Sequence, residues 1–236
     1  MPRLQTVSTS EAVATYLKGL VLSGELKPGE QIPSERTLQE RLSISRLPLR
    51  EGIKLLEARG ILEVRHGKGN FVGQHANPEA VGDALLPLLV QREPGRISEL
   101  FEARSFIEAH LSRLAAENRT PEAIKALQEI FDGLAGCVGD GEAFAAQDWK
   151  FHRQIALMAG NIFLQVIHEA LRPYVHDFLC TSLQTRRARV DAIERHRPLL
   201  EAIISGSPAR AAATASEHMR PCLEKLRALA ESSRAN

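Results

Sequence analysis

The chain has 236 residues and a formal net charge of +1, with 30 Lys+Arg against 29 Asp+Glu. Hydrophobic residues make up 44% and charged residues 25%, an ordinary globular composition. The greasiest stretch, Ala84 to Val90, is short and contains Pro87, which excludes a helical membrane span. The first residues lack the apolar core of a signal peptide, so a cytoplasmic protein is expected. Cys137, Cys180 and Cys222 are widely spaced with no CxxC pair; they read as reduced thiols rather than a disulfide framework. Residues 1–75 carry 11 basic and 8 acidic side chains, a net +3, so the rest of the chain is slightly acidic. A small basic end on an acidic body points weakly to an anionic partner.

In chain order, a first helix is expected from the capping box Ser8-x-x-Glu11 to Leu22, with Val13, Leu17, Leu20 and Val21 on one face. Gly24 and Lys27-Pro28-Gly29 end it. Ser34 caps a second short helix that turns Leu38 and Leu42 inward. Ser45 caps a third, with Pro48 in its first turn, where a missing N–H does little harm. Leu49, Ile53, Leu55 and Leu56 form its apolar stripe up to Gly60. Residues 61–65 then alternate, His66-Gly67-Lys68-Gly69 turns, and Asn70-Phe71-Val72 returns. This is three helices followed by a two-stranded wing, a domain over 1–75. Gly73 to Pro78 reads as a linker.

Residues 76–236 show no recurring strand signal and predict an all-α bundle, for a chain that is mainly α overall. A short helix is expected near 79–91, then longer ones over 97–118, 121–137, 141–159, 161–182, 186–205 and 208–232. Thr120-Pro121 and Ser207-Pro208 each place a hydroxyl before Pro at a helix start. Pro173 and Pro221 fall inside predicted helices and should kink them. With only 5% aromatic residues, the core should be mainly aliphatic.

The third helix presents Arg46, Arg50 and Lys54 at intervals of four, on the face opposite its apolar stripe. A short helix, a tight turn and a basic helix make the helix-turn-helix layout, whose second helix enters the major groove. Arginine suits that position because its fork donates two hydrogen bonds to guanine or grips a phosphate. Arg65, His66 and Lys68 add charge to the wing, where Gly67 and Gly69 let backbone approach a duplex. Any one of these charges alone would read as solvated surface; the four features in this order read as a DNA-binding module.

The run Gly24-x-Leu26-x-Pro28-Gly29, Ile32-Pro33-Ser34-Glu35-Arg36-x-Leu38 and Ser45-Arg46-x-Pro48-Leu49-Arg50-Glu51, with the wing His66-Gly67-x-Gly69-x-Phe71-Val72, resembles the GntR family winged helix over residues 8–73. The resemblance implies that Arg36, Arg46 and Arg50 contact operator phosphates and bases and that His66-Gly67 reaches the minor groove; Ser45 and Lys68 complete the expected DNA-binding set. Leu47 stands where a small hydroxyl residue is common. Gly52 stands where Ala is usual, at a cost on the order of 1 kcal/mol of helix stability.

In the second half, Asp148 and His152 are four residues apart on one predicted helix, His196 lies on a later helix and His218 on the last. Three helices can gather one carboxylate and three imidazoles around a metal, although the 152–196–218 spacing is not a metal motif by itself. His75, His110, His168 and His176 read as ordinary core or surface histidines. Residues 96–230 are similar to the FCD ligand-binding domain of FadR-like GntR members, through Glu102-x-Arg104-x-x-x-Glu108, Asp148-x-x-x-His152, Glu194-x-His196 and His218. That resemblance implies a divalent cation on Asp148, His152, His196 and His218. Zn, Ni and Mn all remain compatible. Pro221 beside His218 departs from an ordinary final helix.

Open positions on such an ion suit a small organic acid effector, with Arg104 completing the charge by a bidentate pair. An i,i+4 pair of Arg104 with Glu108 is an equal and compatible reading. The expectation is therefore a ligand-responsive transcription regulator and repressor, binding a palindromic double-stranded operator as a homodimer. Two alternatives are weighed beside it. One is a regulator for which the cation itself is the signal. The other is a metal-dependent hydrolase, against which stand the absence of HExxH, GxSxG, a phosphate loop and an evident general base.

Overall fold

In the computed structural model the described residues are 8–75, 77–90 and 95–234. Two compact units divide at Ala80–Val81. The first begins with α1 (Thr9–Leu22), whose capping box is complete: Ser8 Oγ accepts from Glu11 N–H while the Glu11 carboxylate accepts from Ser8 N–H. Ser34 caps α2 (Glu35–Leu42) through Thr37 N–H. A left-handed Ser43 (φ 51°) makes the turn into α3 (Arg46–Ala58). Strands β1 (Leu62–Arg65) and β2 (Gly69–Val72) pair antiparallel, Leu62 opposite Val72 and Arg65 opposite Gly69. Val13, Leu17, Leu38, Leu49, Ile53, Leu56, Leu62 and Val72 are buried together, so every element contributes to one small core.

Across that core, α1 lies very close to α3. A Cβ on Gly52 would come within 2.8 Å of the Ser10 carbonyl oxygen and of Val13 Cγ1. The glycine thus costs helix propensity and permits the helix contact, which explains its departure from Ala.

In the second unit, α4 (Pro78–Val90, entered from the first unit) leads to α5 (Arg96–Glu117), α6 (Pro121–Gly136), α7 (Gly141–Met158), α8 (Ile162–Ala170), α9 (Arg172–Ser182), α10 (Arg186–Ile204) and α11 (Pro208–Arg234). Side-chain caps open several of them: Thr120 for α6, Asp140 for α7, Asn161 for α8 and Thr185 for α10. The single helix expected over 161–182 is two, because Pro173 cannot continue an earlier ladder; it sits instead in the first turn of α9, after Leu171. By contrast α11 runs through Pro221 and α10 through Pro198 without a break. The core is mainly aliphatic, as the composition implied, with Phe101, Phe144 and Phe151 its largest fully buried side chains. Among the described residues no helix is long and apolar enough to cross a membrane.

The substitution Gly52→Ala should lower the stability of the full chain by about 1–3 kcal/mol through overpacking against α1, despite its better helix propensity. A thermal melt checks it; an unchanged or raised midpoint would contradict the close-packing explanation.

Candidate nucleic-acid interface and metal centre

In the first unit the expected DNA-binding residues are exposed, as a reading surface requires. Ser45 is the N-cap of α3, yet its hydroxyl makes no capping hydrogen bond. Arg46 and Arg50 both reach toward Glu35 on α2, at 3.5 and 3.1 Å. Arg36 is held only loosely, 3.9 Å from Glu40. Exposed ion pairs of this kind are worth about 0–1 kcal/mol, so Glu35 holds the two arginines only weakly. Leu47 is 69% exposed on the same turn as Arg46. His66, Gly67 and Lys68 form the exposed wing turn, closed by Lys68 N–H to the Arg65 carbonyl at 2.9 Å. Gly67 takes φ +72°, which disfavours a side chain there although space is open. Gln31 fixes the wing by donating to the Lys68 carbonyl at 2.7 Å. Glu35 lies inside the motif Ser34-Glu35-Arg36, but the sequence alone gives it no role, since an acid on a basic surface carries no local signal of its partners.

In the second unit, α7 supplies Asp148 and His152, α10 supplies His196 and α11 supplies His218. The three imidazoles lie together, each with a ligand nitrogen within 4.8 Å of the others. Asp148 Oδ1 is 3.1 Å from His196 Nε2 and its Oδ2 is 3.9 Å from His152 Nε2. His152 and His196 are almost wholly buried and His218 partly so. Phe151 presents its ring to both His152 and His196 edge-on, with centroids 5.5 and 5.1 Å away.

Hydrogen bonding assigns the tautomers. His152 Nδ1 faces Glu108 Oε2 at 2.6 Å, so it carries the proton and donates. His196 Nδ1 faces the Ala192 carbonyl at 2.7 Å and must likewise donate. In their neutral forms both rings therefore turn an Nε2 lone pair inward, and those two nitrogens are 3.1 Å apart. An Asp148 oxygen meets the same spot, and His218 Nδ1 is buried without a hydrogen-bond partner. Acceptors converging with no donor between them fit a cation. Each histidine held through Nδ1 is also the usual outer-shell arrangement of a metal ligand.

Protonation follows the same logic. Burial is the leading cause that holds His152 below its ordinary pKa, and it holds His218 well below, helped there by the neighbouring imidazoles. Burial opposes ionisation of Asp148, but His196, His152 and His218 outweigh it and keep its carboxyl below the usual range. For Glu108, burial is again outweighed, by Arg104 and His152.

Arg104 is 2% exposed; its Nε and Nη2 both face Glu108 Oε1 at 2.6 Å, and its guanidinium lies near the rings of Phe101 and Trp149. The i,i+4 pair is thus formed, and it continues through Glu108 to His152. That second contact crosses from α5 to α7, which no spacing within one helix reveals. His168, read as ordinary, is buried against Trp149 and lies 3.6 Å from Glu108 Oε1, with neither ring nitrogen hydrogen-bonded.

Residues 9–72 match the family described as bacterial regulatory proteins, gntR family, and residues 99–221 match the FCD domain. The chain is 31% identical over 202 residues to the HTH-type transcriptional repressor NanR of Escherichia coli strain K12, covering 80% of this chain and 77% of that protein. It is 30% identical over 202 residues to NanR of Enterobacter sp. strain 638, with 80% and 78% covered. Among solved structures it is similar to Streptococcus agalactiae GntR, with 26% identity, a TM-score of 0.67, and 92% of this chain and 99% of that one covered.

The depressed histidines set a pH dependence for the metal-free protein. The unfolded chain protonates these rings near pH 6.5 while the folded one does not, so the unfolded state binds more protons and stability falls as pH drops through that value. Glu108 and Asp148, also depressed, add a loss of the same sign at lower pH. The melting midpoint of chelator-treated protein should fall between pH 7.5 and 5.5; a rise would contradict burial of neutral imidazoles.

Proposed function

The chain belongs to the GntR family, and from that premise we propose a repressor whose operator affinity is set by a small organic acid bound beside a divalent cation. In coarser terms it is a ligand-responsive GntR-family transcription regulator of the FadR-like branch, and not an enzyme. A DNA partner implies a cytoplasmic protein. The observation that carries the finer reading is the inward convergence of His152 and His196 Nε2, an Asp148 oxygen and the unpartnered His218. That donor set, three neutral nitrogens and a carboxylate, suits Zn, Ni or Mn.

Asp148, His152, His196 and His218 would hold the cation, which supplies positive charge for an anionic effector. Glu108 and the Ala192 carbonyl keep two of the rings turned correctly. Arg104 has N–H groups beyond those facing Glu108, and these are the effector's second anchor. DNA binding rests on the helix-turn-helix face. Arg46 and Arg50 leave Glu35 for bases and phosphates, with Ser45 and Arg36 on the flanking backbone. His66, Gly67 and Lys68 enter the neighbouring groove. Binding as a homodimer matches two half-sites of a palindrome. Effector and operator are then coupled reciprocally, by about 1–3 kcal/mol in a typical regulator. A second reading, in which the cation itself is the signal, draws on the same convergence.

Selection of bound fragments from the source genome at fixed salt supplies the operator; failure to enrich any sequence from folded, metal-loaded protein would count against the reading. On the recovered site, Arg46→Ala or Arg50→Ala should weaken specific binding by about 1–3 kcal/mol with the fold intact, and an unchanged footprint would remove α3 from the interface. His196→Ala should lower metal content and abolish the response to acid while the protein still binds DNA. Full metal stoichiometry in that variant would dismiss the ligand set, whereas a response to metal alone in the unmodified protein would favour the second reading.

A further inference from the structure

A second group of metal-ligating side chains lies outside the buried centre, at the start of α7 and along α9. Glu142 is in the first turn of α7, just after the Asp140 cap. His176 and Cys180 are one helical turn apart on α9, so both face the same side. His176 Nε2 is 3.1 Å from Glu142 Oε1, the Cys180 thiol donates to Glu142 Oε2 at 3.3 Å, and Cys180 Sγ is 3.9 Å from His176 Nδ1. One ligand atom from each residue falls within 4.8 Å of the other two.

From this geometry we propose that Glu142, His176 and Cys180 form a second, solvent-accessible site for a zinc-like divalent cation. Tetrahedral zinc with bonds of about 2.0–2.3 Å puts its ligand atoms about 3.3–3.7 Å apart, and one ligand atom from each of the three residues already lies within 4.8 Å of the other two. Small side-chain movements close the set, and Glu142, mostly exposed, is free to make them. The chemistry selects the ion. A thiolate with an imidazole and a carboxylate suits zinc or a similar borderline-soft cation, whereas calcium and magnesium prefer all-oxygen sites. Three protein ligands leave a fourth position for solvent.

The helices provide a firm platform. Val175 and Leu179, on the same helix as His176 and Cys180, are buried with Phe101 and Trp149. A bound ion would therefore tie the start of α7 to the helix that backs the Trp149 wall. Burial, with the Glu142 carboxylate second, holds the Cys180 thiol above its ordinary pKa, so the proton leaves to solvent as the metal–sulfur bond forms. The site shares no ligand with the buried centre and does not depend on it.

Cobalt(II) tests this in the full chain, since only a thiolate ligand gives a sulfur-to-cobalt charge-transfer band. Chelator-treated protein reloaded with cobalt should show that band and lose it when zinc is added. It should vanish in Cys180→Ser and persist in Cys222→Ser and His196→Ala. Absence of the band in the unmodified chain, or its survival in Cys180→Ser, would overturn the proposal. Alkylation of Cys180, followed by peptide mass in the unmodified chain, is an independent check. Zinc should protect that thiol, and equal labelling with and without zinc would likewise overturn the site.

Discussion

Two imidazole nitrogens, each with its lone pair inward, face one another across 3.1 Å inside the helical unit. Most of what surrounds them follows from keeping them there. Each ring needs a fixed acceptor on its other nitrogen, so α10 turns the Ala192 carbonyl to His196 and α5 sends Glu108 to His152. A buried carboxylate needs its own compensation, and Arg104 supplies it one helical turn back on α5. The arginine in turn lies against Phe101 and Trp149. The polar centre thus extends outward as a chain of obligations, and the packing of α5, α7, α10 and α11 holds every link.

Charge is handled in opposite ways in the two units. On the helix-turn-helix face the ion pairs are exposed and weakly held, which suits a surface that exchanges one anionic partner for another. At the centre of the bundle Arg104, Glu108 and Asp148 are buried, and removing one partner would strand the others at a cost of several kcal/mol. The exposed face holds its ions loosely, whereas the buried cluster fixes their geometry.

Local structure was largely legible in the chain. The capping box at Ser8, the caps at Ser34 and Thr120 and the wing turn are all formed, because each depends on residues within a few positions of one another. Ser45 is at its expected cap position but leaves its hydroxyl without a capping bond. The break before α9 turned on where Pro173 falls within a turn, which periodicity over 161–182 does not resolve. Contacts between distant segments left no such trace. Gly52 reads as a weak spot until α1 is seen against it, Glu108 reads as half of a helical pair until α7 brings His152 to its other oxygen, and Glu35 gives no sign that two arginines share it. For the histidines, spacing alone could not separate 152, 196 and 218 from 168; resemblance to a known domain made that division.

The shared grip of Glu35 on Arg46 and Arg50 bears on how tightly such a protein can hold a duplex. Two cations and one anion occupy that corner of α2 and α3, and under the proposed docking the acid would remain when the arginines turned to phosphate. Counterions released from a polyanion scale with the net positive charge brought to it. On a duplex the pair would displace fewer ions than two free arginines, so in the proposed interface this corner would contribute direction more than adhesion. A reader that grips its track lightly spends less time on irrelevant sequence.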